Sequence, residues 1–159
     1  EITLGILPGI GAMVVPYRRW PKAAAVFHGM LRRAEKLAAV RAHELGIVAA
    51  LADDPRALIA MAVAEVRSLA GQPGGLAQGA VAIPRLEPIA PVAANGMALS
   101  ATAIGLMDDA ISEAAAAPTL AAALEVGYRA FGRSACTAAA REGISAFVER
   151  RRPDFTRTG

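Results

Sequence analysis

Apolar and polar positions change period several times along the chain. Ile2-Thr3-Leu4 reads as the end of a short strand, and Gly5 to Gly11 as a turn. The run AMVVPYRRW then predicts a short helix interrupted at Pro16. Pro21 suits a helix start, and KAAAVFHGML continues with apolar residues at helical spacing. EKLAAVRAHEL (35–45) predicts another amphipathic helix, stopped by Gly46 at a C-cap position. IVAAL reads as a short strand. Asp54-Pro55 carries the cap-plus-proline signature of a helix running to about Leu69.

The pattern then changes character. GQPGGLAQGAVAIPRLEPIAP has five Gly or Pro residues before Ile83 and three prolines after it, which predicts an extended arm or linker rather than a helix. From Met97 helical periodicity returns in three blocks, MALSATAIGLMDDAISEAAAA, TLAAALEVGYRAFGRSAC and TAAAREGISAFVERRR. No repeat of fixed period is present. The implied division is an α/β piece over 1–70, an arm over 71–95 and a helical lobe over 96–159, with an α/β fold class that is mostly α.

Composition sharpens this picture. The chain has 159 residues, 55% hydrophobic and 19% charged, with only 4% aromatics. Alanine dominates the apolar fraction, so a core of closely packed helices is expected. No apolar run reaches the roughly 18 residues of a membrane-spanning helix. The formal charge is +3, carried almost entirely by arginine. Apart from Arg150-Arg151-Arg152 and Arg32-Arg33 these arginines are scattered rather than gathered on one surface with interleaved aromatics, which argues against a nucleic-acid surface and suits a phosphate-bearing small molecule. Cys136 is the single cysteine, so no intrachain disulfide forms and a reducing, cytoplasmic setting is expected. His28 and His43 lack metal-ligand spacing and read as partly exposed helix residues; no metal site is expected.

The turn GIGAMV offers a G-x-G, but Val14 stands where a dinucleotide fingerprint needs its third glycine, and no Lys-Ser/Thr follows for a P-loop. Two readings remain for the turn: a tight connection that needs small residues, or a set of orphan amides beside an acid, with Glu1 as the acid.

The stretch EITLGILPGIG resembles the segment P-E-x-x-L-G-x-x-P-G-x-G of the crotonase (enoyl-CoA hydratase/isomerase) superfamily. RRAEKLAAVRAHELGIV is similar to that family's G-R-x-I-S-A-x-E-A-x-x-x-G-L-V helix, and CTAAAREGISAFVERRRPDF to its C-terminal T-x-D-x-x-E-G-x-x-A-F-x-E-K-R-x-P-x-F. The resemblance covers nearly the whole chain but only the C-terminal half of a crotonase. It implies a remnant of the crotonase-like ββα spiral followed by a helical C-terminal lobe.

The resemblance also implies chemistry on acyl-CoA thioesters, most directly hydration of an enoyl-CoA 2,3-double bond. Double-bond isomerisation and hydrolysis of a cyclic oxo-acyl-CoA are the alternatives within the family, and a non-catalytic oligomerisation module is the alternative outside it. Glu1 matches the second catalytic glutamate and Gly9 the glycine near the catalytic water. Phe131 falls where an aromatic packs near adenine, and Arg150 where a Lys approaches the phosphates. The first glutamate and the oxyanion-hole amides would lie upstream, in a missing N-terminal half or a separate chain, and the sequence opens on a bare glutamate as if entered midway. Coenzyme A enters as part of the substrate, without a further cofactor, and a homotrimer or hexamer is implied. Neither a nucleic-acid nor a membrane partner is expected. Met13, Val14 and Val15 replace the family's Thr-Gln-Arg, which suggests a more apolar wall and a bulky or alicyclic acyl group.

Overall fold

A computed structural model of the chain describes residues 1–72 and 74–158. Pro73 of the expected arm and Gly159 of the expected lobe lie outside the described residues. Among the described residues seven α-helices follow one another: α1 Val15–Arg19, α2 Ala24–Arg33, α3 Ala39–Glu44, α4 Pro55–Leu69, α5 Ala101–Ala116, α6 Leu120–Ala135 and α7 Ala138–Val148. Short 3-10 turns cover Ile2–Leu4 and Pro21–Ala23.

The expected α/β character and ββα spiral remnant are overturned. Among the described residues there is no strand, only an isolated antiparallel bridge between Val92 and Ala98. The reason lies in where the backbone groups go. At Ile2–Leu4, Leu4 N–H donates to Glu1 O at 2.8 Å and Gly5 N–H to Ile2 O at 3.1 Å, so the segment closes on itself. Gly5 ends it at φ +66°, a left-handed conformation that glycine adopts without penalty. After α3, Ile47 and Val48 both return their N–H groups to Ala42 O, at 2.8 and 3.4 Å, which ties the expected second strand into a helix-terminating turn.

The helix ends follow local chemistry. Asp54, Ser100, Thr119 and Thr137 each accept the N–H three residues on, at 2.8, 3.0, 3.1 and 3.0 Å. Ser100 therefore starts α5 four residues later than the apolar pattern from Met97 suggests. Likewise the helix expected over 35–45 begins only at Ala39. Ala34 turns left-handed at φ +54°, and Glu35 folds back so that its N–H reaches Gly29 O at 3.3 Å.

The chain forms two compact units, Glu1–Lys36 with Ala77–Gly159, and Leu37–Leu76. In the larger unit α5 packs lengthwise on α6, and Leu99, Ile104, Met107 and Ile111 are buried with a series of alanines. The first fourteen residues lie over α6 and α7. Leu7 N–H donates to the buried Ser134 Oγ at 3.1 Å, and a Cβ added at Gly143 would collide with the Leu4 carbonyl. The smaller unit holds α3 and α4, and α4 buries none of its residues. No helix among the described residues is long and apolar enough to cross a membrane.

Candidate functional site

The turn after the first 3-10 element is built by three constraints. Ser134 Oγ fixes Leu7 and in turn donates to Phe131 O at 2.8 Å. Pro8 is buried. Met13 and Val14 are buried in the core, where a Cβ at Gly127 would meet Val14 Cγ2 at 3.5 Å. The departures that suggested an apolar wall are thus core contacts at Met13 and Val14, and only Val15 is exposed. Between these anchors Ile10 projects into solvent, flanked by half-buried Gly9 and buried Gly11. Ile10 has φ +54° and Gly11 φ +81°. A β-branched residue in the left-handed region is an outlier, and Ile10 is 92% exposed, so burial does not compensate it.

Of the residues chosen from sequence, the fold brings two together. A Cβ at Gly9 would lie 3.6 Å from Phe131 Cδ2, so the Phe131 ring seats the turn on α6. Glu1 is exposed at the head of the Ile2–Leu4 turn, with its backbone carbonyl accepting from Leu4 and its side chain making no cap. Arg150 sits beyond α7, also left-handed at φ +55°. Its N–H reaches Phe147 O at 3.2 Å, and Arg151 N–H reaches Ala146 O at 2.9 Å, the paired bonds of a Schellman motif. Among the described residues no hydrogen bond or ion pair joins the side chains of Glu1 or Arg150 to the Gly9–Phe131 pair.

Two features went unread in the sequence. Phe147 is 71% exposed, and its backbone carbonyl accepts the Arg150 N–H in the turn that ends α7. Next to them Arg151 grips Glu142 through two guanidinium nitrogens, at 2.5 and 3.0 Å, and Glu149 at 2.6 Å. The Arg151 hydrogen bond holds the Glu142 carboxyl down at about 2. Among the described residues the side chains of both flanking arginines, Arg150 and Arg152, lie outside that network. The F-x-x-R spacing was the available signal.

The second feature is a buried polar cluster at α1, α2 and α5. Tyr17 Oη lies 3.3 Å from His28 Nδ1, and Arg32 grips Asp108 through Nε at 2.7 Å and Nη2 at 2.8 Å. Arg32 Nη2 also donates to Glu87 O at 2.7 Å. His28 is only 8% exposed, which corrects its expected place on a partly exposed helix face. Burial, then the Arg32 charge, pushes the His28 imidazole below its ordinary range, and burial pushes the Tyr17 phenol up. Among the described residues no group of three or more His, Cys, Asp or Glu is placed to hold a metal ion.

Comparison of the chain with protein-family profiles, with curated proteins and with solved structures returned no match.

Proposed function

We propose that the chain acts on acyl-CoA thioesters, in a reaction of the enoyl-CoA hydratase type. The observation that carries this reading is the Gly9-Ile10-Gly11 turn. The fold maintains an exposed, β-branched residue in a left-handed conformation there, at a strain of about 1–3 kcal/mol, and such strain concentrates where function requires it. It adjoins Gly9, the glycine to which the crotonase resemblance assigns a place near the reacting water. Glu1, on the same segment, serves as an acid/base carboxylate. Syn addition of water needs a second carboxylate, and the enolate needs donors aimed at its oxygen. Both would have to come from another polypeptide segment. Phe147 offers a face for adenine and Arg150 a cation for the nucleotide phosphates. Coenzyme A would arrive as part of the substrate, and isomerisation or thioester hydrolysis would use the same binding elements.

Titration calorimetry of the 159-residue chain with crotonyl-CoA and with free CoA tests the reading. Both are expected to bind, and Arg150→Ala to weaken both about tenfold, as loss of one charge-assisted contact would. Absence of binding by either compound refutes the proposal. The alternative of a non-catalytic assembly module is favoured by one observation. Leu58, Ile59, Val63, Val66 and Leu69 are all exposed on α4. Stable self-association without CoA binding would select it.

A further inference from the structure

The His28 cluster is independent of the acyl-CoA reading and has no role in it. Tyr17 keeps its phenolic proton, and its hydroxyl donates to His28 Nδ1 or accepts from it according to which ring nitrogen of the neutral imidazole carries the proton. His28 Nε2 is buried and has no hydrogen-bonding partner among the described residues. The groups facing the ring are Tyr17 from α1, Arg32 one turn further along α2, and Asp108 from α5. Asp108 is the only anion among them, and both its oxygens are engaged by Arg32. The side chain of Glu87 turns outward to Arg85, at 3.5 Å, leaving only its backbone carbonyl inside.

A proton added to His28 therefore meets three obstacles. Both ring nitrogens become donors, so Nδ1 can no longer accept the Tyr17 hydroxyl proton. Nε2–H gains charge with no acceptor. A guanidinium of like sign stands one helical turn away. Moving α2 off α1 and α5 would bring the ring into water, and that movement breaks the Arg32–Asp108 pair as well. It would also release the bond from Ala94 N–H to Arg33 O, 2.8 Å long. We propose that His28 is an acid-sensitive latch: proton uptake by this buried imidazole releases α2 from α1 and α5.

The pH window follows from linkage. Above the ordinary histidine value of 6.5 the imidazole is neutral in both folded and released states, and the latch is at full strength. As pH falls below 6.5 the released imidazole takes up its proton first, so closure weakens until the folded ring also titrates. Each unit by which the latched value lies below the released one reduces the closure constant about tenfold at the acid limit. Surface carboxylates remain ionised over most of pH 7.5 to 5.0 and contribute little there.

Trp20 is the chain's single tryptophan, and its ring centroid lies 6.2 Å from that of Phe27 on α2, so its fluorescence reports the latch. Urea titrations followed by Trp20 between pH 7.5 and 5.0 are expected to show midpoints falling with pH. His28→Gln, which can pair with Tyr17 without titrating, should flatten that dependence, and His43→Gln, at an exposed position of α3, should leave it intact. NMR titration of the wild-type ring stands whether or not the variant folds well. A folded-state value at or above 6.5, or an unchanged slope in a folded His28→Gln protein, overturns the proposal. A depressed value with loss of α2 amide protection near it supports the latch.

Discussion

Arg150 occupies the position after α7 that glycine most often fills, because only glycine takes φ near +55° without a Cβ clash. Both Schellman bonds are nevertheless made, so the motif is intact and the side chain is the anomaly. Arg150→Gly should therefore stabilise the fold by about 1 kcal/mol, measured as a rise in the urea midpoint. Under the proposed function the same substitution weakens CoA binding, so stability and affinity move in opposite directions. Gly5 shows the converse. A Cβ there would lie 2.7 Å from Ala139 O and 3.0 Å from Phe155 Cε1, so its freedom is needed both for φ and for space. What sequence conveyed at this scale was uneven. Glycine in LGILPGIG announces a turn, but nothing local says that the isoleucine between Gly9 and Gly11 is the strained residue. His28 looks like any helix residue until α5, about eighty positions away by sequence, supplies Asp108.

Helices were legible where their signals were local. Asp54-Pro55 marked the start of α4, and the three C-terminal apolar blocks became α5, α6 and α7. The misread elements were those whose backbone groups found non-strand partners. Short apolar runs such as ITL and IVAAL fit a strand by composition, yet a strand needs a neighbour, and here each run bonds back into its own turn. The junction between α1 and α5 rests on a residue that no periodicity would single out. Arg18 is 2% exposed, and its guanidinium donates to Ala114 O and Ala117 O, each at 3.0 Å, at the C-terminal end of α5. It also donates to the carbonyls of Ala77, Gln78 and Gly79. A cation at a helix C-terminus is favourably placed, and burial without a carboxylate lowers its proton affinity only from a very high value. Arg18→Leu removes the shared donor from five carbonyls. A loss of about 3 kcal/mol or more is expected in the free energy of unfolding from chemical denaturation.

At the scale of the molecule, the two units differ in how they are held. The larger has a continuous helical core around Met107, Ile111 and Ala123. The smaller buries Ala42 but nothing along α4. Local opening is easiest where few apolar contacts are broken. Amides of α4 should accordingly exchange with deuterium well before those of α5 and α6 at neutral pH. Comparable protection across all three would show that α4 is covered in solution.

The docking of residues 1–14 on α6 and α7 also has a consequence for biosynthesis. Leu7 waits for Ser134, and Leu4 for Gly143, so this segment is made well before the α6 and α7 surfaces that seat it. While the ribosome works through the intervening residues, Leu7 lacks its Ser134 partner and the Ile2–Leu4 turn has only α2 to rest on. Those side chains are open to chaperones, or to the same segment of a neighbouring nascent chain, until α7 emerges.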